Sequence, residues 1–349
     1  MSSVSSDFQI LNPEIYEKWD DEIDMLQNCS FFHSIAWSKV LSDSYDYRPC
    51  YFVSYDKKKL SSVVPIMDIK SFLTGRRGVS LPFTDYCDPL ISEGINSQEI
   101  FERIVQYAKN HNWKFIEFRG GGKYFPEAIP SSDYLGHRIN LSCKEPDIYK
   151  QLKNTFKRNI KKAVTSGISI NFFTTLKAVK EFYRLNCITR KRHGLPPQPY
   201  RFFKKIYKHI VSEKLGVVVL ASYNKICIAG AVFFHFGNKA VYKYGASDIK
   251  YQSLRANNLV MWEAIKWYIK KEFKSLSLGR TEPENHGLRQ FKLGMGAEEY
   301  FIKYYRYDLK SGSFVREPEK VSPFQTKIFS KLPVVVLKFI GTFYYRHAG

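Results

Sequence analysis

The stretch LGRTEPENHGLRQFKLGMGA, residues 278–297, decides how this chain is read. A strand-like run at 274–278 feeds Gly279 and Arg280, a polar loop covers 281–286, and a short helix over 287–293 carries Leu288, Phe291 and Lys292. Glycines at both ends let the backbone take turns that other residues resist. Between them stand Arg280, Glu282, Glu284, His286, Arg289 and Lys292. That density of polar groups on one loop, held by two regular elements, is how sites are usually mounted. A solvated loop carrying ordinary charge is the competing reading. Within the loop, His286 suits a general base with Glu282 or Glu284 orienting it, against the alternative of a histidine packed on its neighbours. Arg280 either holds an anionic group or bridges to one of those carboxylates.

Upstream of this stretch, strands are expected at 216–223, 226–236 and 239–247, turned at Asn224-Lys225 and Gly237-Asn238. An amphipathic helix over 255–273 leads into the run at 274–278, and a last strand follows at 299–309. Earlier come a helix over 146–166 stopped by Gly167, a strand at 168–173, a helix over 176–193 closed by Pro196-Pro197, and a basic helix over 200–214. The helix over 146–166 puts Lys150, Lys153, Lys157 and Lys161 on one face, with Arg158 and Lys162 beside them. Unbalanced by acids, that stripe suits a phosphate backbone. Tyr242 and Tyr244 alternate with Lys243 and are expected on one face of a strand, lining a substrate channel or packing as ordinary sheet.

In the first half, residues 13–43 read as helical with an interruption at Phe31-Phe32-His33. Strands at 48–55 and 60–70 pair about Asp56-Lys57, a helix covers 98–110, and a strand at 114–118 ends in Arg119-Gly120-Gly121-Gly122. The triple glycine lacks the continuation of a phosphate-binding P-loop, so a plain turn is the stronger reading. Asp85 and Asp88 flank Cys87 without metal-ligand spacing, and no metal is expected.

The chain has 349 residues, is 44% hydrophobic and carries a net charge of +21, enough for two ordinary cores. Residues 1–145 hold 16 Lys+Arg against 20 Asp+Glu, a balance of −4; residues 146–349 hold 38 against 13, a balance of +25. A field of that sign attracts nucleic acid, anionic lipid or phosphorylated substrates, and its onset suggests a domain boundary near 145. Three parts are expected: 1–145, 146–310, and a basic-hydrophobic tail over 311–349. The six cysteines are dispersed without a CxxC pair, which fits reduced thiols in a cytoplasmic protein. The first 22 residues have neither the basic region nor the apolar core of a signal peptide, and no apolar run is long enough to span a membrane. The tail, FSKLPVVVLKFIGTFYY at 329–345, either lies in a membrane interface with Lys331, Lys338 and Arg346 at the headgroups, or docks on the second domain.

The element order, with Phe32-His33-Ser34 and Trp37, Leu81-Pro82-Phe83 with Asp85-Tyr86, and Arg158 with Lys161-Lys162-Ala163 and Gly167, resembles a known family. Tyr244-Gly245-Ala246-Ser247, Asn258 with Trp262-Glu263-Ala264-Ile265, Leu278-Gly279-Arg280 with Phe291-Lys292 and Gly296-Ala297, and Lys331-Leu332-Pro333 complete the likeness. Together they resemble the GCN5-related acyltransferase (GNAT) fold as duplicated in the Fem-type aminoacyltransferases of peptidoglycan bridge synthesis, and are most similar to FemAB-like (BioF2-like) proteins. The resemblance covers nearly the whole chain.

It implies an α/β protein with two tandem GNAT-like domains built on mixed, mainly antiparallel sheets. It also implies an acyl- or aminoacyltransferase that forms an amide on a cell-envelope precursor. Charged tRNA or acyl-CoA would be the donor and co-substrate, a phosphorylated or polyprenyl-linked precursor the acceptor, and no bound cofactor is implied. Lys292 falls on the family's FK motif, whose lysine is expected beside the reacting carbonyl, where a cation stabilises an oxyanion. Arg190 and Arg192 fit the arginines expected to hold substrate phosphates, and Arg280, Tyr244 and Asn258 join them as substrate-binding candidates. The chain departs from the cell-wall transferases at Leu41, where they tend to carry a lysine for the nucleotide-linked precursor; Lys39 is the nearest substitute. Between Ser247 and Asn257 it has no glycine, whereas acetyltransferases wrap a coenzyme A pyrophosphate there with a glycine-bearing loop. That disfavours acetyl-CoA. Two alternatives are an acyl-CoA-dependent N-acyltransferase of an amino sugar or polysaccharide intermediate, and a non-catalytic RNA- or membrane-binding protein on an acyltransferase scaffold.

Overall fold

Strand and helix follow the periodicities closely, and the departures are where the tertiary structure intervenes. The computed structural model describes residues 7–316 and 323–349. The readings made on the extreme N-terminus and on part of the tail therefore fall partly outside the described residues. The chain divides into two units. The first is Met1–Tyr134 with Ile302–Pro318 and Arg346–Gly349; the second is Leu135–Phe301 with Glu319–Tyr345. The boundary comes earlier than the step in charge at 145, and the first unit takes segments from the end of the chain as well as its beginning.

In the first unit, β1 (Asp7–Leu11) is followed by helices α1 (Trp19–Asp24) and α2 (Ile35–Tyr45), then by the hairpin β2 (Arg48–Asp56) and β3 (Lys59–Ser71). Asp56 pairs with Lys59, so the turn is Lys57-Lys58, one residue later than expected, and both take positive φ. β4 (Gly75–Val79), β5 (Leu90–Ile91), α3 (Ser97–Asn110) and β6 (Phe115–Arg119) complete the run. Neither β4 nor β5 is legible in the sequence. β1 to β4 pair antiparallel in order, and β4 lies parallel to β6. Ile100, Ile104 and Ala108 of α3 bury against Phe52, Val64, Ile116 and Phe118. The Phe-Phe-His interruption is a buried joint. Trp19 donates its indole N–H to the His33 carbonyl at 2.9 Å, and the His33 ring meets Ser30 Oγ at 3.0 Å and the Asp88 carbonyl at 2.9 Å. The triple glycine closes on a carboxylate of its own unit. The Gly121 N–H donates to Asp88 Oδ1 at 2.6 Å, and a Cβ on Gly120 would stand 2.0 Å from that oxygen.

The second unit runs β7 (Ser132–Asn140), α4 (Glu145–Gln151), α5 (Asn154–Thr165), β8 (Ser169–Phe173), α6 (Leu176–Arg192) and α7 (Tyr200–Ile206). It continues with β9 (Gly216–Tyr223), β10 (Ile226–Phe236), β11 (Lys239–Ser247), α8 (Ala256–Lys270), β12 (Ser275–Thr281) and α9 (His286–Leu293). β13 (Glu298–Asp308) leads back into the first unit, where its later residues pair with β6 and with β14 (Ser313–Val315). Helices α10 (Pro323–Lys331) and α11 (Val334–His347) follow. β8 to β11 are antiparallel neighbours, β11 is parallel to β12, and β12 is antiparallel to β7. Each unit thus has a mixed, mainly antiparallel sheet with one parallel pair spanned by a helix, α3 in the first and α8 in the second. Phe156 and Ile160 of α5 share a core with Val260, Trp262 and Ile265 of α8 and with Phe233 of β10.

The helix expected over 146–166 is two helices. Leu152 and Lys153 are extended, with ψ of 135° and 147°, and the Lys153 N–H donates at 3.0 Å to the carbonyl of Gly294 rather than to its own helix. The four-lysine stripe therefore does not lie on one helical face. Lys157 turns back onto the Lys150 carbonyl at 3.0 Å, leaving Arg158, Lys161 and Lys162 as the exposed cations of α5.

Candidate active site

β12 does not stop at Leu278. It runs on to Thr281 through a bulge: Ser277 pairs with Arg138 of β7 and Arg280 with Gly136, so Leu278 and Gly279 face the single residue His137. Gly279 has φ of +70° there, which is why the position asks for glycine. The polar loop shrinks accordingly. Asn285 caps α9 by accepting from the Leu288 N–H at 3.1 Å, so His286 is already the first helical residue.

One turn and a half later, Lys292 points back at the bulge. It is 2% exposed, and its ammonium donates to the carbonyls of Gly279 at 3.0 Å and Arg280 at 2.9 Å. A buried cation held by main-chain dipoles is costly to desolvate and is retained where its charge is used or where it staples two elements. Both readings apply to the same two bonds.

Across the bulge lies a group that the sequence did not reveal. His137 is fully buried; its Nε2 stands 3.1 Å from Glu299 Oε2, and Arg289 grips both oxygens of Glu299 at 2.7 Å. Since a carboxylate only accepts, Nε2 carries the proton and Nδ1 is a bare lone pair. That Nδ1 is buried without a hydrogen-bond partner, as is Thr281 Oγ1 at the end of β12. Burial, and next the nearby Lys292 ammonium, push the His137 imidazole below its ordinary value, against the pull of Glu299. Hydrogen bonds from Arg289 hold the Glu299 carboxyl below the usual carboxylate range. The centre thus joins a buried cation, a neutral imidazole and an ionised carboxylate around one strand bulge. Such a set can stabilise developing negative charge and accept a proton.

The other candidates are scattered around this centre in different roles. His286 is exposed and, among the described residues, makes no side-chain hydrogen bond; Glu282 and Glu284 are exposed beside it and do not orient it. Arg280 is half-buried, its carbonyl on Lys292. Arg190 is engaged within its own unit, donating to the Pro196 carbonyl at 3.3 Å and the Tyr345 hydroxyl at 2.6 Å. Arg192 is exposed, 3.3 Å from the His193 ring. Asn258 is buried in the first turn of α8, after Arg255 has entered the helix in a left-handed conformation. The glycine-free segment before it forms a 3-10 turn, Ile249–Leu254, capped by Asp248.

The two tyrosines do not share a face. Tyr244 pairs with Val232 and Tyr242 with Phe233, which leaves Lys243 as the extra residue of a bulge. A bulge breaks the two-residue alternation. Tyr242 packs on Phe233 at 5.5 Å in the α5–α8 core, whereas Tyr244 lies against Phe203 at 5.6 Å and Phe234 at 6.3 Å. Tyr244 therefore lines the α7 side.

Basic helix α5 borders α9. Phe156 and Phe291 stand 5.8 Å apart, and a Cβ on Gly294, which caps the end of α9, would meet the Phe156 ring at 3.3 Å. The exposed Arg158, Lys161 and Lys162 therefore belong to the helix next to the one that carries Lys292.

Residues 150–301 match the family model described as "Acetyltransferase (GNAT) domain". Among curated proteins, none matches the chain in sequence. Among solved structures it is similar to one titled FemX, at 12% identity and a TM-score of 0.69 over 87% of this chain and 98% of that one. A tandem GNAT protein from the clavulanic acid biosynthesis pathway is similar at 10% identity and a TM-score of 0.56, over 90% of this chain and 100% of that one. The C-terminal domain of a putative lysylphosphatidylglycerol synthetase from Agrobacterium fabrum is similar at 12% identity and a TM-score of 0.55, over 77% and 86%. At such identities the structural likeness speaks for the fold: two GNAT-like units, as the resemblance implied. The family match over residues 150–301 takes in Gly279, Arg280, Lys292 and Glu299, so this part of the chain is similar to a GNAT acetyltransferase domain, while His137 lies outside the matched residues.

Proposed function

We propose that the protein transfers an acyl or aminoacyl group from a phosphate-bearing donor to an amine on a cell-envelope precursor. The observation that carries this reading is Lys292, a buried cation aimed at the bulge of β12 from a helix bordered by exposed Arg158, Lys161 and Lys162. Amine attack on a carbonyl places negative charge on oxygen, and a preorganised cation in a dry site lowers that barrier most. The chain Arg289–Glu299–His137 fixes α9 against β7 and so holds the charge in place. The exposed cations of α5, with Arg192, supply the attraction for donor phosphates. The Fem-type resemblance favours charged tRNA as the donor, and the glycine-free turn before α8 speaks against acetyl-CoA. Such donors are cytoplasmic, and so is the reaction in this reading.

The acyl-CoA-dependent N-acyltransferase stays as a second reading because the family that matches is named for acetyl transfer. Binding of charged tRNA, acetyl-CoA and palmitoyl-CoA by calorimetry, with Lys292→Ala and Arg192→Ala in parallel, separates the two. Salt-sensitive tRNA binding without a coenzyme A response supports aminoacyl transfer. A clear acyl-CoA response overturns it in favour of the second reading.

A further inference from the structure

His137 and Thr281 carry polar atoms that the fold buries and leaves unused. Both residues are fully buried, and neither His137 Nδ1 nor Thr281 Oγ1 has a hydrogen-bond partner. A buried polar atom without a partner costs stability, so most are paired in folded proteins. These two belong to one place. Thr281 pairs with Leu135, two residues before His137 on β7, which puts both side chains on the same face of the β7–β12 pair. The Gly279 and Arg280 carbonyls that hold the Lys292 ammonium come immediately before Thr281 in the chain. All of these residues lie in the second unit.

The imidazole is set for one task. Its Nε2–H donates to Glu299 at 3.1 Å, and Arg289 holds that carboxylate by both oxygens at 2.7 Å. With Nε2 committed, Nδ1 offers the lone pair of the ring. The charged groups facing the ring are Glu299 from β13 and Lys292 and Arg289 from α9, while β12 presents the uncharged Thr281. Burial and the two cations outweigh the one carboxylate and favour the neutral imidazole. An imidazole oriented by a carboxylate through one nitrogen, with the other nitrogen bare, is the arrangement of a general base. A staple between β7 and β13 would need only the Nε2–H.

We propose that the attacking amine of the transfer reaction is held by Thr281 Oγ1 and gives its proton to His137 Nδ1. This rests on the acyl-transfer reading and assigns the seat of the acceptor within it. As the amine lone pair forms the C–N bond, the carbonyl electron pair moves onto oxygen beside Lys292, and the surplus proton on nitrogen passes to Nδ1. The oxygen pair then re-forms the carbonyl, and the bond to the donor's ester oxygen or thioester sulfur breaks. That atom leaves with its electron pair and takes the proton from Nδ1. The products are an amide and the donor's free hydroxyl or thiol, and the imidazole ends neutral. Glu299 and Arg289 are positioning residues, which hold the ring in the tautomer the step needs.

Ring-nitrogen NMR of the full-length protein, carrying isotope-labelled histidine, comes first, with His137 assigned by its absence in His137→Gln. A bare Nδ1 and a protonated Nε2 are expected; a proton on Nδ1 overturns the proposal. Transfer is then measured from charged tRNA, acetyl-CoA and palmitoyl-CoA to methoxyamine, an amine that stays unprotonated over the pH range used. His137→Gln keeps an N–H for Glu299 but has no basic nitrogen. It should lose kcat by about 10²-fold or more, and with it the wild type's fall in rate below about pH 6.5. Thr281→Val, which keeps the shape without the hydroxyl, should raise KM for methoxyamine about three- to tenfold, the worth of one neutral hydrogen bond. Thr281→Ser should restore it. Should His137→Gln unfold at neutral pH, the Thr281 pair decides. Wild-type kcat or a surviving acid limb in His137→Gln, or an unchanged KM in Thr281→Val, overturns the proposal and leaves the acyl-transfer reading intact. Absence of transfer by the wild type from all three donors overturns that reading, and the proposal with it.

Discussion

Lys292 has two uses that one substitution removes together, and they are read by different measurements. Lys292→Met keeps the length of the side chain and leaves the carbonyls of Gly279 and Arg280 without their donor. A lost hydrogen bond to a charged group costs roughly 1.5–3 kcal/mol, so the midpoint of urea unfolding should fall. Transfer should drop further, by about 10²-fold or more, the scale of losing an oxyanion stabiliser. A variant that unfolds early yet transfers normally when folded would make Lys292 a staple and nothing else. His137 gives a second prediction. Its pKa is depressed in the fold, so the unfolded chain binds the proton more readily, and stability falls as pH drops below about 6.5 through the folded value. His137→Gln should flatten the acid side of the stability profile below about pH 6.5. A profile that keeps the wild-type slope would place that acid sensitivity elsewhere, with the half-buried His235, whose imidazole burial also pushes down, as the next group to substitute.

At the scale of elements, the bulge in β12 makes the centre possible, because it turns two carbonyls toward α9 and sets His137 opposite an extra residue. Gly279→Ala puts a side chain at φ of +70°, a strain of about 1–2 kcal/mol. It should lower thermal stability and, by moving the carbonyls that Lys292 grips, cost more activity than a comparable change at Gly287, where a Cβ would meet nothing. Equal activity losses at the two glycines would remove the bulge from the mechanism. The same bulge logic accounts for Tyr242 and Tyr244, which strict alternation puts on one face and the extra Lys243 sends to two. It also accounts for what the sequence concealed. His137 sits in Leu135-Gly136-His137-Arg138, which reads as polar and turn-prone, so neither β7 nor its buried imidazole stood out.

Over the molecule as a whole, the excess of 25 positive charges in residues 146–349 is the largest long-range influence on what binds. Reversing Arg158, Lys161 and Lys162 to Glu should weaken tRNA binding and lower the slope of log affinity against log salt by about two to three, near one per lost contact. An unchanged slope would move the anion-binding surface away from α5. Circular dichroism should stay the same, since all three residues are exposed.

The sequence by itself determined the order of elements in the second unit, its three quick strands, the hairpin turns and the helix that bears Lys292, because local periodicity and turn chemistry are written in neighbouring residues. It also carried the resemblance, since the Leu-Gly-Arg and Phe-Lys motifs frame one short stretch. The tertiary structure alone decided where the helix over 146–166 breaks, since Lys153 spends its amide on Gly294. It alone sent Arg190 to Pro196 and Tyr345, and it alone joined His137 to Glu299. Those pairings lie between 6 and 162 residues apart in the chain. Contacts made by the side chains and amides of strands and helices that meet only on folding leave no period in the sequence to be read.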